Sequence, residues 1–132
     1  MDVLIDTSIW SVVFRRQNPD PGITNEVKKL IAQGRVKIIG PIRQELLSGI
    51  KHQIQYEILK SKLRAFPDEV IDTFHYEYAA ELANACLAHG IHPGSIDILI
   101  CSVAKRNKLI IYSRDNDFLQ YTKVIGLNLY KP

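Results

Sequence analysis

The sequence predicts an α/β fold of three layers, α/β/α, in which helices cover both faces of a central, mainly parallel sheet. Two observations support this fold class. Short apolar runs are typical of strands that are buried on both faces, and they alternate along the chain with longer segments of helical periodicity. In a small domain this alternation favours parallel strands joined by right-handed helical crossovers.

Three runs of mostly β-branched or apolar residues are the predicted strands. They cover residues 3–5, 36–39 and 109–112, and turn or polar residues follow each of them. Residues 127–130 form a fourth, weaker candidate strand. In such a sheet the ligand crevice lies beyond the carboxyl ends of the strands, so the residues that follow these runs are the first candidates for a functional site.

Helical periodicity predicts five helices between and around the strands. They span residues 24–33, 41–50, 52–66, 72–89 and 95–107. Pro41 suits the first turn of its helix, Gly90 supplies a stop, and Ser95 is a plausible N-cap. The alternation of elements is therefore continuous along the chain.

The composition indicates one domain spanning residues 1–132. The chain is 46% hydrophobic and 23% charged, which suits a single core of ordinary domain size. Its 17 Lys and Arg residues against 14 Asp and Glu residues give a formal charge of +3. This charge permits a nucleic-acid partner without requiring one.

The expected location is the cytoplasm, with no membrane partner. Asp2 stands where a signal peptide would carry basic residues, and no apolar run approaches the roughly 20 residues that span a bilayer. Cys86 and Cys101 each lie among apolar neighbours, which is typical of buried thiols in a reducing compartment.

Four acidic residues are predicted to meet at the carboxyl edge of the sheet. Asp6 directly follows the first strand, and Asp115 follows the run 109–112 after two residues. Glu45 lies about one turn into the helix that leaves the second strand, and Asp97 lies in the first turn of the helix that precedes the third. Both helices begin at the carboxyl edge if the strands are parallel, so all four acids converge there.

The chemistry predicted for such a cluster is metal-assisted hydrolysis of a phosphodiester. Each acid alone has a simpler explanation as a helix cap or a solvated side chain. Several carboxylates in one cleft, however, repel one another and raise one another's pKa unless a cation neutralises them. Oxygen ligands favour Mg²⁺ or Mn²⁺ over zinc, and such an ion can activate water and stabilise charge on a phosphoryl oxygen.

Four arginines lie near the same loops and are candidates for contact with a polyanionic backbone. They are Arg15, Arg16, Arg43 and Arg114. Arginine is well suited to phosphate groups, although a single surface arginine is more often just a solvated charge.

Four short segments together resemble PIN-domain nucleases, most closely the VapC toxins. They are LIDTS at 4–8, ELLSG at 45–49, DILI at 97–100 and YSRDNDF at 112–118. In order, they are similar to the family's opening D-T-N/S motif, its E-L-x-x-G helix, its D-x-x-I helix and its closing T/S-R-D-x-D-F loop. One such piece would be weak evidence, whereas four in the right order over nearly the whole chain are a strong signal.

The resemblance implies two sets of site residues. The catalytic and metal-binding set is Asp6, Glu45, Asp97 and Asp115. The supporting set is Thr7, Ser8 and Ser113, whose hydroxyl groups steady the acids, together with Asp117. Ser8 stands where many relatives have Asn, and Ser113 where many have Thr; neither change removes a metal ligand.

The resemblance also implies an activity and partners. A protein of this kind is a Mg²⁺- or Mn²⁺-dependent endoribonuclease and the toxin of a toxin–antitoxin pair. It cleaves structured RNA to leave a 5′-phosphate and a 3′-hydroxyl, forms homodimers, and is inhibited by an antitoxin protein that blocks the cleft.

Other readings fit the sequence less well. A haloacid dehalogenase-type enzyme needs a second Asp two residues after the first, where this chain has Ser8, and a receiver domain needs an acidic pair that Asp6 and Thr7 do not provide. A non-catalytic PIN-like module that binds RNA or protein is the alternative to a nuclease, expected if the acidic set were broken. His89 and His92 lack the further ligands that a zinc site needs.

Overall fold

The sheet is parallel throughout in a computed structural model that describes residues 1–14 and 20–132. The strands are β1 (Val3–Ile5), β2 (Val36–Lys37) and β3 (Ile110–Tyr112), and their order in the sheet is β2-β1-β3. Val3 lies opposite Val36 on one side and Ile110 on the other, and Ile5 lies opposite Tyr112. The predicted parallel sheet is confirmed, and β1 is its central strand.

Seven helices flank the sheet within the described residues. They are α1 (Thr7–Val13), α2 (Pro21–Ala32), α3 (Gly40–Leu47), α4 (Gln53–Leu63), α5 (Thr73–Ala88), α6 (Ser95–Asn107) and α7 (Asp117–Ile125). Helix α1 contacts α2 and α3, and α3 contacts α4, whereas α5 contacts α6 and α7. Two groups of helices around one sheet form the expected α/β/α fold.

The prediction and the structure differ most at four elements. Helices α1 and α7 were not predicted, since each is short and follows a strand or loop almost directly. The candidate strand at 127–130 is only an isolated parallel bridge between Ile111 and Leu129. The second strand ends at Lys37, because Ile38 makes a lone bridge to Asp68 and Ile39 is already the N-cap of α3.

The core lies around β1 and α6. All three residues of β1 are buried, and α6 is buried continuously from Ile98 to Ala104. Burial on both faces of the sheet explains why the β1 segment is an unbroken apolar run rather than an alternating pattern. Cys86 and Cys101 are free and buried, as predicted. Among the described helices, none is both long and apolar enough to cross a bilayer.

Truncation of the central strand should destabilise the fold strongly. Leu4 is completely buried in β1, so Leu4→Ala removes buried methyl groups and leaves a cavity on one face of the sheet. We expect a loss of about 2–5 kcal/mol in the free energy of unfolding, measured by urea denaturation.

Leu119→Ala is the matched control for this substitution. The Leu119 side chain is 53% exposed on α7, so the same chemical change there should alter stability by less than about 0.5 kcal/mol. Equal effects of the two variants would contradict the assignment of β1 to the core.

Candidate active site

Asp6 lies at the carboxyl end of β1 and is buried, with 7% of its surface exposed. Its backbone N–H donates to the carbonyl oxygen of Tyr112 at 3.0 Å, which fixes the ends of β1 and β3 side by side. Its Oδ2 accepts hydrogen bonds from Ser8 Oγ at 2.9 Å and from Ser113 Oγ at 2.8 Å. Two hydroxyl donors therefore set the orientation of this carboxylate.

The two serines also anchor the loop that carries Asp115. Their Oγ atoms are 3.2 Å apart. The backbone N–H of Arg114 donates to Ser8 Oγ at 3.1 Å, and that of Asp115 donates to Ser113 Oγ at 3.0 Å. Hydroxyl groups can donate and accept at once, so Ser8 and Ser113 connect Asp6 to the loop after β3.

Three acids form a tight cluster at the starts of α6 and α7. One carboxylate oxygen from each of Asp97, Asp115 and Asp117 lies within 4.8 Å of the others. Asp97 is in the first turn of α6, Asp117 is in the first turn of α7, and Asp115 Oδ1 accepts from the Asp117 N–H at 2.9 Å. Asp117, expected only in a supporting position, is thus part of the cluster itself.

Burial and neighbouring charge act together on Asp97. Its pKa is raised to about 6, chiefly by burial, and the carboxylates of Asp6, Asp115 and Asp117 raise it further. The hydroxyl group of Tyr121 donates to Asp97 Oδ2 at 3.2 Å and acts in the opposite direction. Asp6 is therefore near enough to the three-acid cluster to share its electrostatics.

Glu45 stands at the edge of this arrangement. It is exposed on α3, and its Oε1 accepts a long hydrogen bond of 3.4 Å from Thr7 Oγ1. Glu45 and Thr7 line a cavity together with Ile96, the residue directly before Asp97. The structure thus brings Asp97, Asp115 and Asp117 together and links Asp6 to their loop through Ser8 and Ser113. Glu45 lies outside this group of three acids, next to Thr7.

The predicted arginines separate into distinct cases. Arg43 donates to Asp68 Oδ1 and to the carbonyl oxygen of Leu63, both at 3.0 Å, and to the carbonyl oxygen of Phe66. These intramolecular bonds count against the expected contact with a phosphate backbone. Arg114 is exposed beside the acidic loop. Arg15 and Arg16 lie outside the described residues.

Tyr121 is the site residue that the sequence reasoning missed. It lies one turn after Asp117 on α7, a helix that was not predicted. The signal was present in the spacing of Phe118, Tyr121 and Ile125, which is the spacing of one helical face. The ring packs against Phe118 in a T-shaped contact, with centroids 5.5 Å apart.

The donors of the cluster suit a divalent cation. All of them are carboxylate oxygens, which are the ligands of hard cations such as Mg²⁺ and Mn²⁺, and no thiol or imidazole belongs to this group of three acids. A cation would relieve the mutual repulsion that raises the pKa of Asp97. The residues therefore fit a metal ion on chemical grounds.

Comparison with known proteins identifies the family. The family model described as the PIN domain matches residues 3–124. The chain belongs to the PIN domain family. The four segments that resemble PIN-domain nucleases all lie within the matched region, so that resemblance is confirmed.

Curated relatives and solved structures agree with this assignment. Ribonuclease VapC11 of Mycobacterium tuberculosis and a VapC ribonuclease of Mycobacterium bovis are each 30% identical to this PIN domain over 129 aligned positions. Each alignment covers 95% of this chain and 95% of the relative. The structure of FitAcB from Neisseria gonorrhoeae has a TM-score of 0.81 at 19% identity, covering 98% of this chain and 97% of that one. VapBC2 from Rickettsia felis, solved with a promoter DNA fragment, has a TM-score of 0.80 at 18% identity, covering 98% of both chains. The two structures establish the same fold.

Asp97→Asn should stabilise the metal-free PIN domain at neutral pH. The folded state binds more protons at Asp97 than the unfolded chain does between the ordinary pKa of 3.8 and about 6. Stability therefore falls as the pH rises through this interval. At about pH 7.5 the variant should gain on the order of 2 kcal/mol, measured by thermal unfolding with a chelator present.

The pH dependence of that gain is the control. Near pH 3 the carboxyl group is protonated in both states, so Asp97→Asn and the unaltered protein should unfold at the same temperature. Glu81→Gln, at an exposed position on α5, should have little effect at either pH. A gain that is just as large near pH 3 would show that charge on Asp97 is not the cause.

Proposed function

We propose that this PIN domain is an endoribonuclease that acts as the toxin of a toxin–antitoxin pair and hydrolyses RNA phosphodiester bonds with the help of Mg²⁺ or Mn²⁺. The observation that carries the proposal is the meeting of Asp97, Asp115 and Asp117 within 4.8 Å, next to the buried Asp6. The chain is 30% identical to VapC ribonucleases in alignments that cover 95% of it, which supports RNA as the substrate.

The acidic cluster would hold the metal ion. Asp97, Asp115 and Asp117 supply the nearest set of oxygens, and Asp6 adds a fourth carboxylate to the same electrostatic environment. A bound Mg²⁺ or Mn²⁺ supplies activation of water and stabilisation of negative charge on the phosphoryl oxygens. A ligand set made of carboxylate oxygens favours Mg²⁺ or Mn²⁺ over zinc.

The other polar residues of the site orient the Asp6 carboxylate and border the site on its solvent side. Ser8 and Ser113 fix the Asp6 carboxylate through hydrogen bonds of 2.9 and 2.8 Å, so that it does not have to reorganise when substrate binds. The exposed Glu45 stands at the border with solvent, where we propose that a substrate enters, and its Oε1 lies 3.4 Å from Thr7 Oγ1. We assign Glu45 to the catalytic set on this position and on its family motif.

The partners follow from the family and its relatives. We propose a cognate antitoxin protein that blocks the site, a homodimer as the assembly, and the cytoplasm as the location. The similarity to VapBC2 of Rickettsia felis supports a paired system, and the two free, buried cysteines suit a reducing compartment. We also propose that residues 1–132 act as one PIN domain, since the family model covers 3–124.

Removal of a single acid should abolish RNA cleavage without unfolding the protein. We expect Asp6→Asn and Asp97→Asn each to lower the cleavage rate at least about 100-fold, because each removes charge where a cation and a reacting phosphate meet. Total RNA incubated with Mg²⁺ and analysed by gel electrophoresis provides the measurement, and EDTA should stop cleavage by the unaltered protein.

Asp2→Asn is the matched control for these variants. Asp2 precedes the same strand β1 that Asp6 follows, so the same chemical change is made at the opposite edge of the sheet. It should leave the rate unchanged. Undiminished cleavage by both site variants would overturn the proposed active site, and cleavage that persists in EDTA would overturn the role of the metal.

Arg114 and Arg43 should respond differently to loss of charge. The exposed Arg114 lies beside the acidic loop, so Arg114→Gln should weaken RNA binding. The slope of the logarithm of the binding constant against the logarithm of the salt concentration should become smaller by about one. Arg43→Gln breaks bonds to Asp68, Leu63 and Phe66, so it should lower the melting temperature and leave RNA affinity nearly unchanged. Affinity is measured in EDTA to prevent cleavage.

A further inference from the structure

Helix α7 presents two polar side chains to Asp97. Asp117 and Tyr121 are four residues apart and therefore lie on the same face of the helix. Asp117 contributes a carboxylate to the cluster, while Tyr121 donates its hydroxyl hydrogen to Asp97 Oδ2 at 3.2 Å. The same helix thus brings a repelling charge and a neutral donor to one carboxylate.

The Tyr121 hydroxyl group is held firmly in place. The residue is 3% exposed, and its ring makes a T-shaped contact with the buried ring of Phe118 at an interplanar angle of 80°. A tyrosine ring that is packed in this way has little rotational freedom. The donor therefore has a fixed position relative to α6, which carries Asp97.

An aspartate carboxylate needs such a donor to have a defined orientation. Its terminal torsion is broad, so without such a bond the two oxygens can take a wide range of orientations about the bond to Cβ. A hydrogen bond to one oxygen fixes the plane of the group and leaves the other oxygen available. Donors behind a metal ligand generally act in this way, and their loss weakens metal binding.

We propose that Tyr121 is a positioning residue that orients the Asp97 carboxylate toward the divalent cation held by Asp97, Asp115 and Asp117. This inference rests on the metal-dependent site proposed above. Its neutral hydroxyl suits the task, because a lysine or arginine in the same place would bring a positive charge that competes with the cation. In this role Tyr121 acts on the cation only through Asp97.

A simpler role for Tyr121 is core packing, in which the hydroxyl merely finds a partner. The chain contains a suitable comparison, since the hydroxyl group of Tyr130 also donates to a carboxylate, that of Glu26 on α2. That pair has the same chemistry outside the acidic cluster. Tyr121→Phe and Tyr130→Phe therefore remove the same kind of bond, and only the first should affect a metal ion.

The test is a calorimetric titration of the full-length, metal-free protein with Mn²⁺. Tyr121→Phe should raise the dissociation constant by about 10- to 100-fold at unchanged stoichiometry, whereas Tyr130→Phe should bind Mn²⁺ as the unaltered protein does. In RNA cleavage, Tyr121→Phe should need correspondingly more Mn²⁺ for half-maximal rate and should recover most of the rate at saturation.

Three results would overturn the inference, and they differ from one another. An unchanged dissociation constant for Tyr121→Phe would show that the hydroxyl does not act on the site. A lower stoichiometry at an unchanged constant, together with a lower melting temperature, would assign Tyr121 to packing alone. If the unaltered protein itself does not bind Mn²⁺, the metal dependence in the proposed function fails along with this inference.

Discussion

The parallel pairing of β1 with β3 is the constraint on which the site depends. The bond from Asp6 N–H to the Tyr112 carbonyl fixes the two strand ends in register, and the residues just beyond them then meet through Ser8 and Ser113. A slip of one residue would turn every side chain of β3 to the opposite face. The buried β1, paired on both sides, prevents that slip and so keeps Asp115 beside Asp6.

The acidic cluster is unfavourable for the metal-free fold. Burial and three neighbouring carboxylates raise the pKa of Asp97 to about 6, which means that the folded state holds its charge at a cost. The hydroxyl group of Tyr121 offsets part of that cost, since hydrogen bonds to a charged oxygen are stronger than neutral ones. The metal-free fold is thus less stable because the site concentrates negative charge, and such a loss of stability is common in active sites.

The sequence allowed the sheet and most of the site to be predicted because both rest on local signals. Unbroken apolar runs marked β1 and β3, and the acids follow those runs or begin the next helix. Two features were not predicted. Helix α7 has only nine residues, so the helical spacing of Phe118, Tyr121 and Ile125 is a weak signal, and Tyr121 was missed. Arg43 donates to the carbonyl groups of residues 63 and 66, and no sequence pattern predicts these contacts.

The distance along the chain between the paired serines has a consequence during synthesis. Ser8 and Ser113 are separated by 105 positions, and the three clustered acids lie between residues 97 and 117. Closing so long a loop requires that almost the whole chain be available. A ribosome that has made only the first hundred residues therefore carries a nascent chain in which the acidic cluster cannot yet be assembled.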